Sequence, residues 1–289
     1  VQELAPGVWV ETEYRLITVG AIQTESGWVL IDTPPYPRDA WHWRETLAEI
    51  APLPVLAVVL TDGHRDRLLG TCWFDAPTVI AHDETLAQMA ALSAAFMESV
   101  AEALARTPAE REQFASARLV MPTVTFSQRM ILHYGSCHIS LLSMTGPMAG
   151  SVWVHLPEQR VLFMGDSLSV NEHPYISGPY TKEWLDNLTE LRRPRFAADL
   201  LVPGRGPVVD KNATEPLSNY LRLVRRRVQS LYRAGRPRAD TASLVPELLT
   251  AFPYDPADSE NVQRRIKSGL DRIYEELKTN EKGTDSPAR

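Results

Sequence analysis

Residues 61–67 read Thr-Asp-Gly-His-Arg-Asp-Arg and follow directly on the apolar run Pro54–Leu60. Asp62, His64 and Asp66 alternate along this stretch. Such spacing suits metal ligation or acid–base work, because carboxylate and imidazole supply both lone pairs and titratable protons. Arg65 and Arg67 interrupt the pattern. A guanidinium is always charged and has no lone pair to donate, so it opposes a cation beside it. Two readings stand open: a metal site, or carboxylates neutralised by arginine.

The elements that must position this loop can be read from residue patterning. Strands are expected at 7–10, 16–19 and 27–32, a helix over about 37–50, and an apolar strand at 55–60 that runs into the loop. Residues 83–117 carry no strand pattern and read as a helical insertion, with Thr107 capping a helix that starts at Pro108. Its apolar residues, among them Met89, Phe96 and Met97, suit a core stripe, a lid or a dimer face. Strands return at 129–134, 137–142, 151–156 and 160–165, followed by a helix over 181–192, a strand at 200–202 and helices over about 213–234 and 259–278. The two halves echo each other. Val29-Leu-Ile-Asp32 precedes a helix and a strand that opens into the Asp62–Arg67 loop; Val161–Asp166 precedes a helix and a strand that opens into Pro203-Gly-Arg-Gly206. Two copies of one strand, helix, strand unit would bring these polar strand-end loops to one edge of a two-sheet sandwich.

Composition limits the function classes. The chain has 289 residues, 44% of them hydrophobic, and a formal net charge of −6. This is enough apolar material for a sizeable core. Arg225-Arg226-Arg227 is the single basic run, which argues against a nucleic-acid partner. No stretch reaches the roughly 18 apolar residues of a membrane span. Two distant cysteines, Cys72 and Cys137, suggest neither thiolate zinc nor a disulfide scaffold and fit a reducing cytoplasm.

In order and spacing, the segments LAPGVWV, GWVLIDT, VVLTDGHRDRLLG, GPMAGSVWVHLPEQRVLFMGD, EWLDNLTELRR and LVPGRGPV resemble the metallo-β-lactamase superfamily, in its glyoxalase-II-like branch. The resemblance implies an α/β fold, an αββα sandwich of two pseudo-repeated halves. On this reading residues 1–279 are one domain with the insertion at about 83–117 and C-terminal helices, and 280–289 are a flexible tail. It also implies a binuclear zinc, iron or manganese site that activates water. The family's loop is T-H-x-H-x-D-H. Here Asp62 takes the first histidine position and Arg67 the last, Pro147 replaces the histidine of GHTPGS, and Arg205 that of PGHG. His64, Asp66 and the bridging Asp166 match, three of seven ligand positions.

The expected cluster of Asp62, Asp66 and Asp166 against Arg67, Arg205 and a protonatable His64 nearly neutralises itself. Arg67 and Arg205 are therefore expected to replace metal as counter-charges, paired with Asp66, Asp166 or Asp62, and no cofactor is expected. The competing expectation is one divalent metal (Mn, Fe or Zn) on Asp62, His64 and Asp166. His64 and Asp66 are the candidate catalytic residues, with His64 as general base. Arg67, Arg205, His173 and Tyr175 are candidates for binding a small anionic ligand, with Tyr180 and Trp184 beside them. The chain is then a pseudoenzyme or binder on a hydrolase-like fold, or a hydrolase of an ester, thioester or lactone that uses the same cleft. Asp32 is expected to brace its loop, and His82, His133, His138 and His155 read as structural strand or turn residues. Ser151 and Ser167 lack a nucleophile-elbow context.

Overall fold

Short, mostly apolar runs, several of them followed by Gly, Pro or Asp, become the strands of two sheets. The computed structural model describes residues 1–93 and 95–284. The first sheet contains, side by side in chain order, β1 (Gln2–Ala5), β2 (Val8–Glu11), β3 (Val19–Gln23), β4 (Trp28–Ile31), β5 (Val55–Val59), β6 (Thr78–His82) and β7 (Val124–Phe126). Neighbours are antiparallel from β1 to β4 and parallel from β4 to β7. The second contains β8 (Arg129–Tyr134), β9 (Cys137–Ser143), β10 (Val152–Leu156), β11 (Val161–Gly165) and β12 (Leu200–Pro203), in the order β12-β11-β10-β9-β8. Here β8 to β11 are antiparallel and β11 and β12 parallel.

The helices, in chain order, are α1 (Pro37–Ile50), α2 (Arg65–Leu68), α3 (Asp83–Ala90), α4 (Phe96–Leu104), α5 (Pro108–Ala115), α6 (Thr181–Leu191), α7 (Thr214–Arg233), α8 (Val245–Leu249) and α9 (Ser259–Thr284). Both expected repeats are present. β4 and β5 are a parallel pair with α1 between them in the chain, and β11 and β12 are a parallel pair with α6 between them. Among the described residues, no helix is long and apolar enough to cross a membrane.

The chain divides into two compact units: Val1–Met144, Gly150–Gly165 and Ala197–Val209 form one, and Thr145–Ala149, Asp166–Phe196 and Asp210–Arg289 the other. Both sheets lie in the first unit. Their facing sides share one core, in which Val8, Val10, Ile31 and Val59 meet Ile139, Leu141, Val154 and Phe163. On the other face of the first sheet, Ala21, Leu30 and Val58 pack with Ala40, Trp43 and Leu47 of α1. The central strands are thus apolar on both sides, as parallel strands covered by a helix must be. Each fully buried side chain of this kind contributes about 1.5–3 kcal/mol. The stretch 83–117 holds α3, α4 and α5, and Thr107 does cap α5 by accepting from Glu110 N at 3.1 Å. In the second unit Glu276 of α9 accepts from Thr181 N at 3.0 Å at the start of α6 and pairs with Arg225 of α7. A carboxylate from one helix thereby satisfies the open backbone donors of another.

One expectation needs correction: the strand placed at 16–19 begins only at Val19, because Leu16 takes a left-handed backbone (φ 72°). β1, β6 and β7 lie outside the strands expected from patterning. α9 continues through Thr284, and residues 285–289 of the expected tail lie outside the described residues.

Candidate functional site

Parallel neighbours open their C-terminal ends on the same edge, and that edge is where α/β proteins build sites. β4 leads directly into Asp32 and β5 runs into Thr61–Arg67; in the second sheet β12 runs into Gly204-Arg205. Within the first unit these loops meet. Gly204 N donates to Gly165 O at 2.7 Å, and Val152 N donates to Thr61 O at 2.7 Å. Gly165 sits at φ 54°, and a Cβ there would lie 2.5 Å from Thr61 Oγ1, so only glycine allows this approach.

At the bottom of the edge, Asp32 is 2% exposed and left-handed (φ 55°). Its carboxylate accepts from Thr61 N at 2.9 Å and from Thr61 Oγ1 at 2.6 Å. Arg67, fully buried, brings Nη1 to 3.6 Å from Asp32 Oδ2 and donates through Nη2 to Gly204 O at 3.0 Å. Burial pushes the Asp32 carboxyl up to about 7, although the Arg67 guanidinium and the two Thr61 donors pull it down.

Nearer the surface, Asp62 Oδ1 accepts from His64 N at 2.9 Å and lies 3.1 Å from His64 Nδ1. This Asx-type turn makes His64 the residue before α2. Arg205 pairs with Asp66, the acidic residue in the first turn of α2. The Arg205 and His64 side chains keep 18% and 15% of their surface exposed, against 0% for Arg67. A solute reaching this edge therefore meets Arg205 and His64.

The expected counter-charge pairing thus holds for Arg205 with Asp66. Arg67 pairs with Asp32, expected only to brace its loop, and its buried guanidinium has no surface to offer a ligand. Of the candidate catalytic residues, His64 receives the Asp62 carboxylate from the turn, and Asp66 meets Arg205. Asp166, the residue after Gly165, is buried and begins a segment of the second unit.

His173 and Tyr175 also belong to the second unit. His173 is 1% exposed, lies edge-on to Tyr220 and Phe252, and has Nε2 3.3 Å from Leu249 O. Burial pushes its imidazole below its ordinary range. It is a packed aromatic residue in place of the expected ligand contact. Tyr175 lies under the Arg265 guanidinium, 3.8 Å from its ring centroid, and its hydroxyl accepts from Arg265 Nη2 at 2.5 Å. Trp184 is buried and donates to Ser167 O at 2.9 Å. Of the expected structural histidines, His82 caps α3 by accepting from Glu84 N at 3.0 Å, and His155 Nε2 meets Ala197 O at 2.7 Å. Sequence reasoning missed Thr61 and the Gly204 carbonyl, although Thr61 opens the very loop that drew attention.

No protein-family model and no curated protein matches this chain. Solved structures do. A metallo-β-lactamase family protein from Thermus thermophilus superposes with a TM-score of 0.69 at 18% identity, over 97% of this chain and 95% of that one. The fold is the metallo-β-lactamase fold. A metallo-β-lactamase from Pontibacter korlensis matches at 0.60 and 21% identity, over 77% of this chain and 98% of its own. The inverting sec-alkylsulfatase Pisa1 from Pseudomonas sp. matches at 0.68 and 15% identity; this chain is covered over 99% and spans 52% of that protein. The expected α/β sandwich is therefore present. At these identities the likeness speaks for the metallo-β-lactamase fold alone.

Proposed function

We propose that this protein uses the metallo-β-lactamase fold without a binuclear metal centre, as a binder of a small anionic ligand. One observation carries the reading: the acidic residue Asp66, which would serve a second ion, is paired with Arg205. The donor set does not fit two ions. Arg67 and Arg205 lack lone pairs, and each guanidinium already balances a carboxylate. Arg205 is the ligand's expected anchor, since a guanidinium has five donors and recognises carboxylate or phosphate well. Cys72 and Cys137 form no disulfide, in keeping with the reducing cytoplasm we propose.

The contact between His64 Nδ1 and Asp62 favours a second reading. In it, His64 acts as general base on an ester, thioester or lactone, oriented by Asp62, with Arg205 stabilising the developing negative charge. A mononuclear variant would place one divalent ion on Asp62, His64 and Asp166. A thermal-shift panel of carboxylates and phosphates tests the binder. Stabilisation that is lost in Arg205→Met is the expected result; no stabilisation by any anion refutes it. Turnover of a substrate from an ester and thioester panel, abolished in His64→Ala, supports the second reading.

A further inference from the structure

The tip of the second sheet carries a histidine pair that the strand-end site does not use. A two-residue turn, Gly135-Ser136, joins β8 to β9. Gly135 has φ 62°, the backbone a type II′ turn needs at its first central position. Tyr134 is opposite Cys137 and His133 is opposite His138. In a two-residue hairpin the residues flanking the turn exchange backbone hydrogen bonds, so the next pair is a non-hydrogen-bonded one, whose side chains approach most closely. The two imidazoles are exposed on one face, with ring centroids 4.9 Å apart. Glu158, in the turn between β10 and β11, brings Oε1 to 3.5 Å from His138 Nδ1. Glu25 adds a second carboxylate at the hairpin tip, accepting from Ser136 Oγ at 3.5 Å.

We propose that His133 and His138 form a chelating site for a first-row transition-metal ion of the Cu²⁺, Ni²⁺ or Zn²⁺ class, with Glu158 as the third ligand. Imidazole suits these ions, whereas Mg²⁺ and Ca²⁺ take oxygen donors. A shared ion needs each nitrogen at about 2.0–2.1 Å. Cross-strand register brings the rings edge to face with centroids 4.9 Å apart, and a shared ion calls for rotation of the two exposed side chains. The carboxylates offset the ion's charge, and water fills the open positions. Copper binds tightest in such a nitrogen site.

The test uses the full chain, stripped with a chelator, titrated with Cu²⁺ by calorimetry and followed by electron paramagnetic resonance. One equivalent with hyperfine coupling from two imidazole nitrogens is expected. His133→Asn and His138→Asn should each weaken binding at least about tenfold and remove one nitrogen coupling, with the urea midpoint unchanged because both side chains are exposed. Glu158→Gln should weaken binding by less. Wild-type titrations in both histidine variants, or loss of the ion on His64→Asn instead, overturn the proposal.

Discussion

Replacing Arg67 with methionine keeps a long, flexible side chain in the buried space and removes the charge that faces Asp32. At 3.6 Å and an effective dielectric of about 20, the pair attracts by about 4–5 kcal/mol. Above about pH 7, where Asp32 is ionised, removing one partner of a buried pair typically costs about 3–5 kcal/mol, because the other charge stays behind without compensation. The lost Arg67–Gly204 hydrogen bond adds little, since Gly204 O still accepts from Thr18 N at 2.8 Å. Urea denaturation of Arg67→Met, Asp32→Asn and the double variant forms a cycle, and the double variant should lose clearly less than the two singles together. The pH dependence supplies a second readout. Asp32 is raised from 3.8 to about 7, so between those values the folded state keeps a proton that the unfolded state has released. Its contribution to stability therefore falls as pH rises through that window, by on the order of 4 kcal/mol, and is flat above it. In Arg67→Met the carboxyl loses the guanidinium that pulls it down, so the fall should continue above about pH 7. Additive losses, together with an unchanged pH profile, would refute the buried pair.

Thr61→Val removes the hydroxyl that donates to Asp32 at 2.6 Å and should cost about 1.5–3 kcal/mol by urea denaturation, with the Asp32 titration displaced upward. Gly165→Ala, at φ 54° and against Thr61, should cost about 1–3 kcal/mol, whereas Gly206→Ala, at φ 89° with nothing near its Cβ, should cost about 1–2 kcal/mol from backbone strain alone. Arg205→Met should leave the fold intact by circular dichroism while abolishing any anion-dependent thermal shift.

The parallel pair β4 and β5 with α1 between them was legible because Trp28–Ile31 and Val55–Val59 are uninterrupted apolar runs and Pro37 marks the helix start. β1, β6 and β7 mix polar with apolar residues, so nothing local separated them from loops. The Arg205–Asp66 pair followed from the internal echo, which put the loops after β5 and β12 at one edge. The Arg67–Asp32 pair did not, because the charge argument set the arginines against Asp62, Asp66 and Asp166 and gave Asp32 only a bracing role. His173 read as a ligand from its loop, yet its neighbours Tyr220, Leu249 and Phe252 come from far along the chain. Only tertiary packing could show that it is buried.

The central claim is that arginine, in place of a second metal ion, balances the carboxylates of the strand-end loops. Elemental analysis of the His133→Asn/His138→Asn variant, purified without added metal, tests it most directly, because the hairpin site can then contribute nothing. Zinc, iron and manganese well below one equivalent per chain are expected. Two equivalents retained through gel filtration would contradict the account, and one equivalent lost on Asp62→Asn would establish the mononuclear alternative in its place.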